Sequence, residues 1–177
     1  LGSSFAISIW IKQNDQNTRY ILDARDASNT SAISVQSQSE GSGIKLVSNA
    51  FNASAEVSIN AWHHVAITYD SSSTTGKLYV DGALDNTKSI SLGSSAAALT
   101  VGTRYSNQSF WSGGLDELAT WNTVLDADAV SAIYNSGEPT DLTKNIGNYS
   151  ASSNLQAWYR MGDATSPSAD GTSNFIF

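Results

Sequence analysis

The stretch Trp62–Gly82, WHHVAITYDSSSTTGKLYVDG, predicts two β-strands joined by a polar turn. Apolar residues alternate with other residues in both arms, the period-two pattern of half-buried strands: Val65, Ile67 and Tyr69, then Leu78 and Val80. Between the arms, Asp70–Gly76 contains only turn-forming or flexible residues. The pair Asp81-Gly82 supplies the positive φ angles of a type I′ turn, so we expect a third strand directly after it.

Further along the chain, Leu99–Gly102 precedes a polar loop, a strand with the sequence GGLDELATW and a short helix. With the hairpin, this order resembles the laminin-G-like or concanavalin-A-like jelly-roll family, in the branch that includes pentraxin-like domains. The residues that carry the resemblance are Trp62, His64–Ala66, Leu78–Gly82, Gly114–Leu118, Trp121 and Asn122. It extends from about Phe5 to Gly137. It implies an all-β fold: an antiparallel two-sheet jelly-roll β-sandwich with one short helix near the C-terminal third.

The remaining segments fit such a sandwich. Phe5–Ile11 alternates strictly and is predicted to be a strand in the middle of a sheet. Four further strands are predicted at Arg19–Asp23, Ala32–Gln36, Gly43–Val47 and Ala55–Ile59. Asp126–Gly137 is the predicted helix, with Asp126 capping its first turn and Gly137 closing it. We assign the following residues to the core: Ile7, Ile9, Trp62, Val65, Ile67, Leu78, Val80, Leu115 and Leu118.

The C-terminal segment resembles the opening strand and loop of the same family. Residues 154–177 contain the sequence NLQAWYRMGD followed by a polar tail. This strand either pairs back beside the first strand or begins a following repeat. We favour pairing back, because an isolated strand would expose Trp158 or Tyr159 together with Met161. We therefore predict that residues 1–177 form a single domain with 154–177 as its final strand and tail, while a tandem array in a longer protein stays open.

Composition excludes several classes of function. The chain has 177 residues, enough for one sandwich core, and no cysteine, so the core alone must hold the fold. Its nine Lys and Arg are scattered and the net charge is −7, which argues against binding to nucleic acid. The acidic balance is compatible with cation binding or with solubility alone. No stretch is apolar enough to insert into a membrane. Leu1–Ser4 lacks the features of a signal peptide, so we expect a domain of a longer protein.

The sequence offers no catalytic pattern, and we predict that the protein is not an enzyme. Glucanases of this fold place paired carboxylates on one strand, but none of the four glutamates begins such a pattern. Asp116 and Glu117 are neighbours, and successive strand residues point to opposite faces. The same argument separates His63 from His64 and prevents them from chelating one zinc ion. We expect one histidine to pack in the sheet with its ring nitrogens satisfied and the other to face solvent.

The family resemblance implies a calcium site at the rim of the sandwich. In laminin-G-like and pentraxin-like relatives the metal lies between two loops, and position carries this over to Asp26 and Asn29 from one loop and Asn107 and Gln108 from the other. Carboxylate and amide oxygens are the ligands that Ca²⁺ prefers. The second loop has no carboxylate and contains Arg104, which weakens the match. The alternative is that these residues form Asx turns that shape the loops. Asp163 with Asp170 is a second, lower-ranked candidate.

The same rim loop is rich in aromatic residues. Tyr105, Phe110 and Trp111 lie in or beside it, and exposed aromatic faces stack on sugar rings while amides bind hydroxyls. We predict ligand binding by Tyr105, Asn107 and Trp111, although Phe110 or Trp111 must point into the core if the segment is a strand.

Two classes of function follow. The first is a carbohydrate-binding or adhesion module, with or without the assistance of calcium, of a larger extracellular, cell-surface or virion protein. Its partners are a glycan or cell-surface polysaccharide and neighbouring repeats or domains. The second is a structural or protein-interaction spacer that binds no glycan.

Overall fold

The strands of the protein form two antiparallel sheets. A computed structural model describes residues 3–25, 31–48, 52–90, 92, 98–161 and 174–176. Twelve strands lie in these ranges: β1 Phe5–Gln13, β2 Arg19–Arg25, β3 Ser31–Glu40, β4 Gly43–Ser48, β5 Asn52–Val57, β6 His63–Asp70, β7 Thr75–Val80, β8 Ala83–Ser89, β9 Ala98–Val101, β10 Gly113–Trp121, β11 Leu155–Arg160 and β12 Asn174–Ile176. The larger sheet has the order β12-β11-β10-β1-β6-β7-β8, and the smaller has the order β5-β4-β3-β2-β9. The predicted two-sheet sandwich is confirmed.

The hairpin predicted for Trp62–Gly82 is present in the structure. β6 pairs with β7, and β8 follows at once and pairs with β7. Asp81 and Gly82 have φ angles of 49° and 75°, the left-handed values that a type I′ turn needs. The turn also holds the start of β6, because Asp81 Oδ1 accepts a hydrogen bond of 2.9 Å from the backbone N–H of His64.

Gly82 is expected to be intolerant of any side chain. A Cβ atom there would lie 2.7 Å from Tyr134 Cδ1, whereas a Cβ at Gly147, which also has a positive φ of 55°, would meet nothing within 4 Å. Gly147→Ala should therefore cost only the backbone strain, about 1 kcal/mol. Gly82→Ala should cost about 2–4 kcal/mol, because overpacking against Tyr134 is added. Urea denaturation of the two variants measures the difference, and equal losses would contradict the close packing of the turn.

The inner core lies between the two sheets. β1 runs between β10 and β6, so the prediction of a central strand is confirmed. Its inward residues are buried together with residues of both sheets; they are Phe5, Ile7, Ile9 and Ile11. The other sandwich residues predicted for the core also belong to this cluster, Leu115 as a partly buried member. The alternation in β1 therefore identifies the face that meets the smaller sheet.

A second cluster covers the outer face of the larger sheet. The segment 122–154 crosses this face and contains helix α1, Ala127–Tyr134, and two 3₁₀ turns at Asn135–Gly137 and Ser152–Asn154. Its members from the segment are Leu125, Ala129, Val130, Ile133, Leu142 and Tyr149, and from the sheet Ala6, Ala66, Tyr79, Ala119, Trp121 and Trp158. We call this set the outer cluster. Trp121 anchors it, with Nε1 donating a hydrogen bond of 2.9 Å to the Tyr149 hydroxyl.

The helix begins as predicted and ends earlier. Asp126 caps it, since its side chain accepts a hydrogen bond from the backbone N–H of Ala129. The helix ends at Tyr134 because Asn135 takes the left-handed conformation, so the prediction that Gly137 closes the helix is wrong by two residues. None of the helices among the described residues is long and apolar enough to cross a bilayer.

The assignment of Trp62 to the core is wrong. Trp62 precedes the first residue of β6, and 46% of its surface is exposed. Its ring lies over Gly114, where an added Cβ would come within 2.5 Å of the indole. The ring is half-covered by a neighbouring strand and lies outside both clusters.

The C-terminal strand pairs back into the domain, but beside a different neighbour. β11 pairs with β10 rather than with β1, which lies one strand further in. Trp158 is buried in the outer cluster, and Tyr159 packs against the inner core. Burial of these aromatic rings was the reason for predicting that the strand joins the sheet. The period-two pattern carries no information on which edge accepts it.

Candidate functional site

The rim loop, residues 102–112, joins β9 to β10 at one end of the sandwich. It folds back as a tight turn in which the backbone N–H of Arg104 donates to Gln108 O at 3.0 Å. Asn107 lies at the tip with a φ of 56°, and its N–H donates to Arg104 O at 2.9 Å. Both Asn107 and Gln108 are exposed, so their amide groups are accessible to a ligand.

Tyr105 is held in place by the neighbouring strand β2. The Arg25 guanidinium lies 3.7 Å from the centre of the Tyr105 ring, and the Tyr105 backbone N–H donates to Asp23 Oδ2 at 3.3 Å. Asp23 is fully buried and forms a salt bridge of 2.8 Å with Arg25. The Tyr105 side chain is nevertheless 40% exposed. One face of the ring is fixed by a cation, and the residue keeps a large accessible surface.

Phe110 and Trp111 point in different directions. Trp111 packs against the inner core, and its Nε1 donates to Gly114 O at 3.0 Å. Phe110 is 56% exposed, and its carbonyl accepts a hydrogen bond of 3.0 Å from Arg19. Of the two, Phe110 therefore offers the larger aromatic surface to a ligand, although Trp111 was the residue predicted from the sequence.

The rim loop continues onto the outer face of the smaller sheet. Tyr20 lies opposite Gln36 and Asp23 opposite Ser34, while their inward neighbours belong to the inner core. Tyr20, Asp23 and Arg25 thus share the outward face next to Tyr105. Tyr20 and Arg25 were not among the site residues predicted from the sequence. The alternation of inward and outward residues along β2 would have indicated them. A bulge between Tyr20 and Leu22 interrupts that alternation.

The predicted calcium ligands are only partly described. Asn107 and Gln108 lie at the exposed tip of the rim loop, whereas Asp26 and Asn29 lie outside the described residues, as do Asp163 and Asp170 of the second candidate. Within the described part of the chain, no three His, Cys, Asp or Glu side chains lie close enough to hold a metal ion. Calcium binding stays a prediction.

His64 packs in the sheet as predicted, but the expectation that the other histidine faces solvent is met only in part. His63 is partly exposed, with its ring nitrogens 2.8 Å from Asp81 Oδ2 and 3.0 Å from Ser58 Oγ. Burial favours a raised pKa for Asp81, but hydrogen bonds from the His63 ring and the His64 backbone N–H outweigh it and lower the pKa.

His64 is buried against the rings of Trp10 and Tyr134, with 1% of its surface exposed. Its Nδ1 has no hydrogen-bond partner among the described residues, so the prediction that the packed histidine has both nitrogens satisfied is wrong. Burial lowers its pKa to about 4, although the charge of Asp81 acts in the opposite direction. A neutral ring in an aromatic pocket serves packing rather than metal binding.

Asp116 and Glu117 do not alternate as their position in a strand predicts. The pairing of β10 with β1 shifts register at this point, and Glu117 has a φ of 52°, so a bulge breaks the alternation. Both residues line one cleft of about 340 Å³ on the outer face of the larger sheet, together with Trp10 and Trp62. A second cleft of about 350 Å³ adjoins it at Glu117. The premise that the two carboxylates point to opposite faces is therefore wrong.

Both carboxylates are nevertheless engaged in the fold. Glu117 accepts hydrogen bonds of 2.5 Å from Trp158 Nε1 and 3.3 Å from Arg160 Nε. Burial raises the pKa of Glu117 against the opposing effect of these two donors. Asp116 Oδ1 accepts from the backbone N–H groups of Glu117 and Met161 at 2.8 and 2.7 Å. The pair ties β11 to β10.

Solved structures of other proteins share the sandwich fold of this chain. No curated protein sequence matches the chain. Among solved structures, a SAP-like pentraxin from Limulus polyphemus has a TM-score of 0.62 at 19% identity, over 75% of this chain and 70% of that one. A putative carbohydrate binding protein from Bacteroides ovatus has a TM-score of 0.65 at 14% identity, over 90% of this chain and 45% of that one. At these identities the likeness is one of fold.

A third structure is Domain 4 of AbnA, an extracellular GH43 arabinanase from Geobacillus stearothermophilus, in complex with arabinotriose. It has a TM-score of 0.57 at 17% identity, over 74% of this chain and 66% of that one. A family model described as the concanavalin A-like lectin/glucanases superfamily matches residues 1–131. The chain therefore belongs to the concanavalin A-like lectin/glucanases superfamily, as the motifs in its sequence predicted.

Proposed function

We propose that this domain is a non-catalytic carbohydrate-binding module that binds its glycan at the rim loop. The observation that carries the proposal is the Tyr105 ring, which is 40% exposed while Arg25 fixes its orientation. A fixed aromatic ring loses little conformational entropy when a ligand stacks on it. Asn107 and Gln108 add exposed amide donors and acceptors that suit sugar hydroxyls.

The carboxylates near the rim support a binding role rather than glycoside hydrolysis. A glycosidase needs a carboxylic acid whose pKa is raised and a second carboxylate close to it. Asp23 is fully buried and bound by Arg25. Asp15 forms a salt bridge of 2.6 Å with Arg19, and this hydrogen bond holds the pKa of Asp15 well below its usual range. Each of these two carboxylates binds an arginine that contacts the rim loop.

The wider setting is also part of the proposal. The Geobacillus structure, a domain of an extracellular enzyme, supports a module carried by a larger protein that acts outside a cell. A place on a cell surface or on a virion is included in the proposal without support from the similar structures. We keep calcium as an optional cofactor, held by Asp26, Asn29, Asn107 and Gln108. The guanidinium groups of Arg25 and Arg104 lie beside the same loop and oppose a cation there, so a weak site is expected.

A glycan array tests the proposal. The wild-type domain should bind a subset of glycans, and Tyr105→Ala should weaken that binding about tenfold or more, the usual effect of removing a central aromatic contact. Trp62→Ala is the matched control, because Trp62 is equally exposed but lies over Gly114 beside the clefts of the larger sheet. Repeating the array in calcium and in EDTA tests the cofactor.

Each outcome has a distinct meaning. Loss of binding in Tyr105→Ala but not in Trp62→Ala supports the rim site. Loss in Trp62→Ala alone moves the ligand to the clefts beside Glu117 and contradicts the rim site. Binding that is equal in calcium and EDTA contradicts a calcium-assisted mechanism. A wild-type domain that binds no glycan in either condition favours the alternative of a structural or protein-interaction spacer.

A further inference from the structure

Arginine is concentrated at the rim. Three of the four arginines in the sequence, Arg19, Arg25 and Arg104, lie there, in a chain whose net charge is −7. Arg19 is paired with Asp15 and Arg25 with Asp23. Arg104 has no ion pair and no side-chain hydrogen bond among the described residues. Among the residues that the structure describes, Arg104 is therefore the rim arginine without a carboxylate partner.

The surroundings of Arg104 hold its guanidinium in a defined place. Its Cζ lies 5.9 Å from the ring centres of both Tyr20 and Tyr105. Tyrosine faces at this distance attract a guanidinium and limit its movement. The Nε atom is buried from solvent yet has no acceptor. A buried donor without a partner is costly, and of the guanidinium nitrogens only Nε is both buried and unpartnered among the described residues. The terminal Nη groups are therefore the donors that a ligand can reach.

From this geometry we infer that the rim binds glycans that carry a carboxylate, such as a sialic or uronic acid, through Arg104. The inference rests on the proposed function and names its ligand class. The two terminal Nη groups of the planar guanidinium present a fork of N–H donors that matches the two carboxylate oxygens. The exposed surface of Tyr105 and the amides of Asn107 and Gln108 then contact the sugar that carries the acid.

The charge balance favours a single carboxylate over a polyanion. Arg25 is paired with Asp23 and Arg19 with Asp15, so within the described part of the rim Arg104 is the cation that remains for a ligand. A ligand with many phosphates or sulfates would meet the net negative charge of the chain with only this one compensating group. A single acid group faces mainly Arg104, because charges further away are screened beyond about 8 Å at physiological salt.

The test uses pairs of glycans that differ only in their acid group. Titration calorimetry compares sialyllactose with lactose, and an oligogalacturonide with its methyl ester, which keeps the shape and removes the charge. A sulfated lactose distinguishes a carboxylate from another anion. We expect the wild-type domain to prefer at least one carboxylated member over its partner by about tenfold or more, as one charge-assisted contact provides.

Variants identify the residue responsible. Arg104→Gln should reduce this preference to less than about threefold while leaving the binding of the neutral partner unchanged. Arg104→Lys should retain part of the preference, because it keeps the charge but loses the fork. Lys88→Gln is the matched control: Lys88 is an exposed cation on β8 in the larger sheet, and its replacement should change nothing. Thermal melts establish that each variant is folded.

The results separate the two proposals. Equal binding of carboxylated and neutral glycans, an unchanged preference in Arg104→Gln, or a stronger preference for the sulfated ligand would overturn the inference and leave glycan binding intact. Failure of the wild-type domain to bind any glycan would overturn both proposals. A preference that Arg104→Gln removes and Lys88→Gln does not would establish the role of Arg104.

Discussion

Trp121→Ala is expected to lower the free energy of unfolding by about 3–5 kcal/mol, the usual cost of emptying a buried aromatic site. Trp121 is 1% exposed and lies at the centre of the outer cluster, between the larger sheet and the segment 122–154. Its loss also removes the donor to the Tyr149 hydroxyl, which itself donates to Leu142 O at 2.8 Å. Typical domains are stable by only about 5–15 kcal/mol, so this loss is a large fraction of the total stability.

Trp62→Ala is the matched comparison, because the same side chain is truncated at a site that is 46% exposed. This substitution should cost about 1–2 kcal/mol, because the half-exposed Trp62 ring buries less apolar area than the Trp121 ring. Urea denaturation at neutral pH measures both. A loss in Trp62→Ala as large as that in Trp121→Ala would contradict the placement of these two rings.

The second large effect is a loss of stability at acidic pH. His64 has a pKa of about 4 in the folded protein, whereas an unfolded histidine titrates near 6.5. As the pH falls below about 6.5, the unfolded chain binds a proton that the folded chain does not bind until about pH 4. Acid therefore favours unfolding in this window. About 2 kcal/mol of stability should be lost between pH 7.5 and pH 5, and about 3 kcal/mol once pH 4 is passed.

His64→Leu should remove this part of the pH dependence. Glu117 must be controlled, because it lines the same small cavity as His64 and its raised pKa adds stability as the pH falls, the opposite sign. The experiment is therefore a cycle of wild type, His64→Leu, Glu117→Gln and the double variant, each unfolded in urea at pH 7.5 and pH 5. An unchanged pH dependence in His64→Leu would show that the ring is not held neutral by burial.

The sequence predicts the parts of this fold that are fixed by local chemistry. Asp81-Gly82 determines both the turn and the register of the hairpin, and the alternation in Phe5–Ile11 identifies the face that meets the inner core. It does not predict the bulge at Glu117, because a positive φ at a non-glycine residue arises from strand pairing rather than from residue type. The exposure of Trp62 also depends on tertiary structure. The sequence does not show whether a second layer of the fold covers this ring.

The sequence also predicted part of the candidate site. The polarity and aromatic content of the loop located the rim, and Tyr105 and Asn107 are exposed there. The sequence left open whether Phe110 or Trp111 points inward, and the packing of Trp111 against the inner core answers that question. The contribution of Arg25 was not foreseen, because it approaches Tyr105 from a strand that is about 80 residues away in sequence and is brought near only by sheet pairing.

The layer formed by segment 122–154 makes the two outward surfaces of the sandwich unequal in their tolerance of sequence change. On the larger sheet, Ala6, Ala66 and Ala119 face the outer cluster, so a larger side chain there would disrupt close packing. On the smaller sheet, Tyr20 and Arg25 and the rim loop beside them carry partly accessible side chains. Substitutions at Tyr20 and at the exposed loop positions can alter ligand preference at little cost in folding, whereas Arg25 is required by the buried Asp23. Related domains should therefore diverge in specificity at the rim while retaining small residues beneath the helix.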